Sequence, residues 1–363
     1  MLLLLLTLTL PFFQAMATLG IPVSDATVSV SRFNVATLTA ISPPFVFPLY
    51  SFLVEHGSGR RLVFDLGVRK DPLNLSPSAA AKFVRGNVIP NKLEKDMLDM
   101  LEDAGIPGES IESIVWSHTH YDHIGDASRF PNTTSLVFGA ETNLSAYPTF
   151  PNATLQESDL AGKTHTKIDF STAELKFNDM RAIDYFGDGS FYLVDTPGHM
   201  PGHLTGLARV TAGAEPTFLL LAGDTYHHPG EARPRPAFQD TFPAPAPIIA
   251  SARAHVNTSV YFSPGSHDGA FDLPSRATPM LAITSNSSMD PVTSTVTGEK
   301  IARWDASADV LVLMAHDLSV VEDLEGGGLP YHPQLLNGWK AAGWKKDTVW
   351  EFMDFENPAW AFG

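Results

Sequence analysis

Five short apolar runs in this chain each end on a side chain able to hold a metal ion. Residues 61–64 run into Asp65, 111–117 into His118, 191–194 into Asp195 and soon His199, 218–222 into Asp224, and 310–315 into His316. Runs of this length, rich in β-branched residues and bounded by Gly, Pro or Asp, predict buried strands. Each strand then delivers its polar end to the same end of a sheet. Helical patterns lie between some of them. Residues 91–104 carry Leu93, Met97, Leu98 and Leu101 at helical spacing and stop near Gly105 and Pro107. The alternation predicts an α/β architecture with helices covering the sheets. No repeat and no linker divides the pattern, so residues 18–363 are expected to form a single domain.

Two regions depart from this pattern. Residues 229–247 contain Pro234, Pro236, Pro243, Pro245 and Pro247. Proline lacks the donor that both helix and sheet ladders use, so an ordered loop is expected there. The tail, 335–363, carries Trp339, Trp344, Trp350 and Trp360 with Phe352 and Phe355. It is expected to dock on the core as a C-terminal helix, the alternative being an aromatic wall of a substrate cleft. Pro43, Pro44, Phe45, Phe47 and Pro48 form an apolar, hairpin-like stretch that serves either as such a wall or as ordinary core. Residues 1–17 read as a leader: Leu2 to Phe13 is apolar and Ala15-Met16-Ala17 fits a small-x-small cleavage site, although no Lys or Arg precedes it. Secretion is expected if that leader is used, and a cytoplasmic protein if translation starts at Met16. Sequons at Asn74, Asn132, Asn143, Asn152, Asn257 and Asn286 suit the first case.

Composition narrows the chemistry. There is no cysteine, so any metal must be held by His and carboxylates. The net charge of −16 disfavours nucleic acid and anionic lipid as partners, and no interior apolar run approaches the ~20 residues of a membrane helix. A small-molecule substrate is therefore expected, without an integral membrane segment. Ser117-His118-Thr119-His120-Tyr121-Asp122-His123 places three imidazoles and a carboxylate within six positions, just after a strand. Extended backbone turns His118 and His120 to one side, and a following turn aims Asp122 and His123 at a second position beside the first. That spacing suits two adjacent metal ions, and zinc, iron, manganese and cobalt all accept these ligands.

This His-x-His-x-Asp-His segment resembles the metallo-β-lactamase superfamily. Four further motifs follow the family's pattern: Phe64-Asp65-Leu66-Gly67, Thr196-Pro197-Gly198-His199-Met200-Pro201-Gly202-His203, Leu221-Ala222-Gly223-Asp224 and Ala315-His316-Asp317. The resemblance spans about residues 46–318 and implies a four-layer αβ/βα sandwich with metals at one edge between two sheets. It further implies two divalent ions, zinc foremost. His118, His120 and His199 would hold one, Asp122, His123 and His316 the other, and Asp224 would bridge them. A bridging hydroxide would be the nucleophile, with Asp122 orienting it and moving its proton. Asp65 and His203 would support the ligands. His267 rivals His316, but sits in a turn, whereas His316 ends a strand. His56, His165, His255 and His332 have no partners at ligand spacing and are expected to be ordinary surface residues.

One departure bears on function. Bacterial lactonases of the superfamily carry a tyrosine three residues after the bridging aspartate; here that position is His227, flanked by Tyr226 and His228. Tyr226 or His227 could donate to a developing oxyanion, or both could simply shape the loop. Segments 223–231 and 117–126 resemble fungal lactonase-like members, some belonging to secondary-metabolite or xenobiotic-degrading gene clusters. The expected activity is a dinuclear metal-dependent hydrolase opening a lactone or similar small cyclic ester. The same machinery would serve a lactamase acting on a benzoxazolinone-like cyclic carbamate, or a thioesterase. An iron-dependent oxidoreductase and a non-catalytic binding protein fit less well, because the second ligand set is complete.

Overall fold

A computed structural model describes residues 20–41, 44–255, 278–321 and 327–354. The leader, Pro43, Asn257, His267, Phe355 and Trp360 lie outside the described residues, as do the side chains of Pro44 and His255.

Two sheets carry the fold. The first has the order β4-β1-β2-β3-β5-β6-β9, built from β1 (Val28–Ile41), β2 (Pro44–His56), β3 (Arg61–Phe64), β4 (Val88–Lys92), β5 (Ser113–Val115), β6 (Ser135–Gly139) and β9 (His165–Ile168). A small separate pair is formed by β7 (Ala146–Tyr147) and β8 (Leu155–Gln156). The second large sheet runs in chain order through β10 (Leu175–Phe177), β11 (Met180–Asp184), β12 (Phe191–Asp195), β13 (Leu204–Arg209), β14 (Phe218–Leu221) and β15 (Val310–Leu313). β3, β5, β6 and β9 are mutually parallel, as are β14 and β15, while the remaining neighbours in the two large sheets are antiparallel.

The strand sequences explain the layering. Successive strand residues face opposite sides, so a strand apolar at every position can be buried on both. Leu62, Phe64 and Val115 of the first sheet meet Leu219, Leu221, Leu311 and Leu313 of the second in one core. Their neighbours Val63 and Ile114 face outward into a second core with Met97, Leu98 and Leu101 of the helix Met97–Asp103. Leu220, Val310 and Val312 face a third core with Ile301 and Trp304 of the helix Pro291–Asp305. Three apolar layers between two sheets and two helical coats make the chain an αβ/βα sandwich. Among the described residues no helix is long and apolar enough to cross a membrane.

Three local expectations are corrected. The helix expected at 91–104 is instead β4 followed by α2 (Met97–Asp103), with α1 (Pro77–Val84) preceding them. Asp96 caps α2: its carboxylate accepts from the Asp99 amide at 3.2 Å and the Asp99 side chain accepts from the Asp96 amide at 3.2 Å. The helix starts there because the cap satisfies its open amides. Asp96→Ala is expected to lower stability by about 1–2 kcal/mol, read as a reduced denaturant midpoint at unchanged slope.

The proline-rich stretch is not a loop but contains helical turns. After α3 (Tyr121–Ile124) these are α4 (Pro229–Ala232), α5 (Pro236–Thr241) and the start of α6 (Ala246–His255), before α7 (Pro291–Asp305). Pro229 and Pro236 open their helices, where the missing amide has no helical partner to lose. The tail, in turn, is a chain of short helical turns rather than one helix, broken at Gly343 with φ 79°. It does dock: Trp339 enters the core between the sheets, and Trp350 and Phe352 pack with Phe238 and Met280.

Candidate metal centre

The strand ends from both sheets converge at one edge of the sandwich. β3 leads to Asp65, β5 to Ser117 and His118, and the turn α3 carries Asp122 and His123. The loop after β12 brings His199, β14 leads to Asp224 and β15 to His316. Asp195, the last residue of β12, belongs to neither ligand group, and burial raises its pKa. Two glycines permit the close approach. Gly223 has φ 50°, and a Cβ there would lie 2.8 Å from the Ser117 Cβ. Gly198 has φ 128°, and a Cβ would lie 2.3 Å from the Ser294 amide nitrogen. Only glycine lets these loops reach the centre unstrained.

His118 Nε2, His120 Nδ1 and His199 Nε2 form a triangle with sides of 2.9, 3.0 and 3.1 Å. Asp224 Oδ2 stands 3.6 Å from His118 Nε2 and 3.4 Å from His199 Nε2. Its other oxygen, Oδ1, lies 3.1 Å from His123 Nε2 and 3.2 Å from His316 Nε2, and Asp122 Oδ2 is 3.7 Å from His316 Nε2. His118, His120, His199 and Asp224 thus form one group able to hold a metal, and Asp122, His123 and His316 a second. Asp224 offers an oxygen to each. A tetrahedral cation with bonds of about 2.0–2.1 Å spaces its ligands about 3.3 Å apart, which these separations match.

A further observation tests the fit. His123 Nε2 and Asp224 Oδ1 are buried and make no hydrogen bond, being close but outside hydrogen-bond geometry. Such orphaned atoms cost about 1–3 kcal/mol each, and a cation between them removes the penalty. The donor set of imidazoles and carboxylates suits a divalent metal.

The outward-facing atoms of these side chains are held in turn. Asp65 Oδ2 accepts from His123 Nδ1 at 2.8 Å and from Ser117 Oγ at 2.7 Å, while its Oδ1 accepts from the Ser117 amide at 2.7 Å. The Ser117 hydroxyl also receives His118 Nδ1–H at 3.0 Å. His199 Nδ1 donates to the Ser287 carbonyl at 2.9 Å, and His316 Nδ1 to the Pro48 carbonyl at 3.0 Å. These contacts fix the tautomers so that each Nε2 lone pair faces the centre. His203 lies behind it: Nε2 accepts the Asp224 amide at 3.1 Å while Nδ1 donates to Thr196 at 2.9 Å.

Electrostatics follow from this crowding. Burial, then the neighbouring imidazoles of His123 and His199, push the pKa of His118 well below its ordinary value. Burial likewise drives His199 down and takes His203 to about 4. Burial also opposes charge on His123, but Asp224 and Asp65 outweigh it and hold that pKa well above normal. Burial works against an ionised Asp224, yet His123, His316, His227 and His118 keep its carboxyl well below the usual range. His118, His120 and His199 are thus kept neutral beside an ionised Asp224, the forms that bind metal, while His123 holds a proton against Asp224 and Asp65 that a bound cation would displace.

The two candidate oxyanion donors diverge. Tyr226 is fully buried against Ile301, Trp304 and Val312, and its hydroxyl donates to the Gly298 carbonyl. That bond turns it away from the centre and removes it as a donor there. His227 faces the centre, with Nε2 3.3 Å from Asp224 Oδ2, its ring 4.8 Å from that of His199 and 27% of its side chain exposed. Its backbone amide donates to Glu231 Oε2 at 2.7 Å, which fixes the loop. Burial lowers its pKa, but Asp224, Glu231 and Asp122 raise it further, to about 9. Phe47 lies edge-on to His316 at 5.3 Å, so the apolar hairpin borders the centre. His56, His165 and His332 bond elsewhere, to Asp188, Leu160 and Ser31.

Sequence reasoning missed Ser117, Ser287, Pro48 and Glu231. Ser117 was signalled by its place beside His118. Ser287 and Pro48 act through backbone carbonyls, which every residue has, so no side-chain pattern marks them.

Residues 45–254 match the family model described as "Metallo-beta-lactamase superfamily", and the chain belongs to that superfamily. It is a metal-dependent hydrolase. It is 37% identical over 362 residues to the metallo-hydrolase mfmC of Annulohypoxylon moriforme, covering 94% of this chain and 90% of that protein. It is 33% identical to the gamma-lactamase FDB1 of Fusarium pseudograminearum, covering 92% of this chain and 83% of that one. A Penicillium brevicompactum protein named cytochrome P450 monooxygenase mpaDE' is 35% identical across 93% of this chain, a match covering only 39% of that longer protein. Among solved structures, an N-acyl homoserine lactone hydrolase with N-hexanoyl-L-homoserine bound at its catalytic metal center shares the fold. Its TM-score is 0.54 at 15% identity, covering 86% of this chain and all of that one (100%).

Proposed function

We propose that the chain is a dinuclear hydrolase, zinc-dependent, that opens a small cyclic ester of the lactone type. The observation that carries this reading is the sharing of Asp224 between two ligand groups, with His227 beside them. His118, His120 and His199 would hold one ion, Asp122, His123 and His316 the other, and Asp224 both. Two such cations, when bound, ionise water near neutral pH and polarise a carbonyl. The chain's residues do the rest. Asp122 accepts the proton of the attacking water, and His227 donates a hydrogen bond to the carbonyl oxygen as it gains charge. Asp65, Ser117 and His203 hold the imidazoles and Asp224 in place. Water adds to the carbonyl carbon, the ring C–O bond breaks, and the proton taken up by Asp122 passes to the departing oxygen, giving an alcohol and a carboxylic acid in one opened molecule.

A second reading, a cyclic amide or carbamate in place of the ester, is favoured by the likeness to a gamma-lactamase over most of the chain. A matched panel separates the two: a five-membered lactone, the corresponding lactam, a benzoxazolinone and a thioester, each assayed with metal-reconstituted protein. The lactone is expected to exceed the lactam in kcat/KM by at least about 10-fold, equivalent to ~1.4 kcal/mol. The reverse order would make the chain a lactamase. Turnover of none of the panel would end the small-ring reading.

A further inference from the structure

His227 reaches the metal centre from a loop with no strand pairing of its own. Between Asp224 and α4 the chain runs through Thr225, Tyr226, His227 and His228. The neighbours of His227 both turn away from the centre: the Tyr226 hydroxyl donates to the Gly298 carbonyl, and the His228 ring lies edge-on to Phe352 at 5.8 Å. One side chain ties the middle of the loop. Glu231, the third residue of α4 and buried, accepts the His227 amide at Oε2, 2.7 Å away, and the His228 amide faces the same carboxylate. His228 Nδ1 in return accepts the Gly230 amide at 3.0 Å, so the turn into α4 is closed from both sides.

A carboxylate is an unfavourable choice for mere filling. Burying one is opposed unless it is paired, and Glu231 forms no ion pair among the described residues. The nearby Arg235 is engaged elsewhere: its Nη1 donates to Glu299 at 2.6 and 2.7 Å and its Nε to the Ala232 carbonyl at 2.8 Å. What the Glu231 carboxylate does meet is the pair of amides that sets the direction of residue 227. We propose that Glu231 is a positioning residue for the reaction. By holding the His227 amide it aims the imidazole at the centre, where Nε2 lies 3.3 Å from Asp224 Oδ2, and at the substrate's carbonyl oxygen. The inference rests on the donor role proposed for His227. Glu231 also lines a cavity of about 310 Å³ with Tyr226, Arg235, Leu281, Gly298 and Glu299, bordered by the exposed Thr295. Removing the carboxylate therefore admits water to the freed amide instead of orphaning it in the core, and the variant is expected to fold.

The test compares metal-reconstituted Glu231→Ala, Glu231→Gln, His227→Phe and the double variant Glu231→Ala, His227→Phe in the full chain, on the panel substrate that the wild type turns over fastest. Misplacing a catalytic group by about 1 Å costs up to ~100-fold, so Glu231→Ala is expected to lower kcat by ~10- to 100-fold with KM within ~3-fold of wild type and metal content unchanged. Glu231→Gln keeps an acceptor oxygen for the His227 amide and is expected to stay at least ~5-fold faster than Glu231→Ala. The double variant is expected within ~2-fold of His227→Phe alone, because both changes remove one contribution. A merely structural Glu231 would instead add its loss to that of His227→Phe. Crystals of Glu231→Ala supply a readout that needs no substrate: the His227 ring is expected to leave Asp224 by about 1 Å or more while the seven ligand side chains stay in place. Wild-type kcat in Glu231→Ala, additive losses, a Glu231→Gln as slow as Glu231→Ala, or a His227 ring that keeps its place overturns the inference. Wild-type kcat in His227→Phe is a separate failure, that of the donor role, and the crystals still decide whether Glu231 aims the ring.

Discussion

With two ions bound as proposed, Asp224→Asn is expected to reduce the metal content to one ion per chain or fewer and to lower kcat at least ~1000-fold, about 4 kcal/mol of barrier. The reason lies in the two oxygens. Oδ1 stands 3.1–3.2 Å from His123 and His316, while Oδ2 stands 3.4–3.6 Å from His199 and His118. An asparagine fills the same volume, but it removes the negative charge and replaces one acceptor by an N–H donor that no cation tolerates. The backbone contact is unaffected, because His203 binds the Asp224 amide and not its side chain. Folding is therefore expected to persist, checked by circular dichroism, while elemental analysis and single-turnover rates report the loss. Two bound ions with near-wild-type turnover would remove the shared-carboxylate centre.

The parts of this centre that sequence makes legible are those fixed by short-range geometry. His118, His120, Asp122 and His123 lie within six positions, and the end of one strand and one helical turn suffice to bring them together. His199, Asp224 and His316 are legible because each follows an apolar run, and strands in such a sandwich share an edge. The partition of those runs between two sheets is not legible. Strands apolar at every position, such as Phe218–Leu221 and Val310–Leu313, carry no alternation to mark an inner face. Tyr226 shows the same limit at one residue. Whether it or His227 faces the centre depends on the turn after Asp224, and the carbonyl of Gly298 that captures the tyrosine is 72 residues away. The helix boundary at Asp96 was open to reading, since Asp96 and Asp99 have capping spacing; the apolar periodicity from Leu93 onward concealed it.

His227→Phe isolates the remaining chemical role. Phenylalanine keeps an aromatic ring beside His199 and leaves the 227 amide bonded to Glu231, so the loop and the ligand groups stay intact. What disappears is one donor facing the centre. Deleting a donor that meets a developing oxyanion costs about 10²–10³ in kcat, or ~2.7–4 kcal/mol, with KM changed little because the contact strengthens as charge develops. Metal content is expected to remain that of the wild type, which separates lost donation from lost binding. His227→Gln restores an N–H and is expected to recover part of the rate. Since Tyr226 is committed to Gly298, it cannot substitute for the missing donor. A kcat unchanged in His227→Phe would therefore leave the carbonyl oxygen to the cations alone and reduce His227 to a neighbour of Asp224.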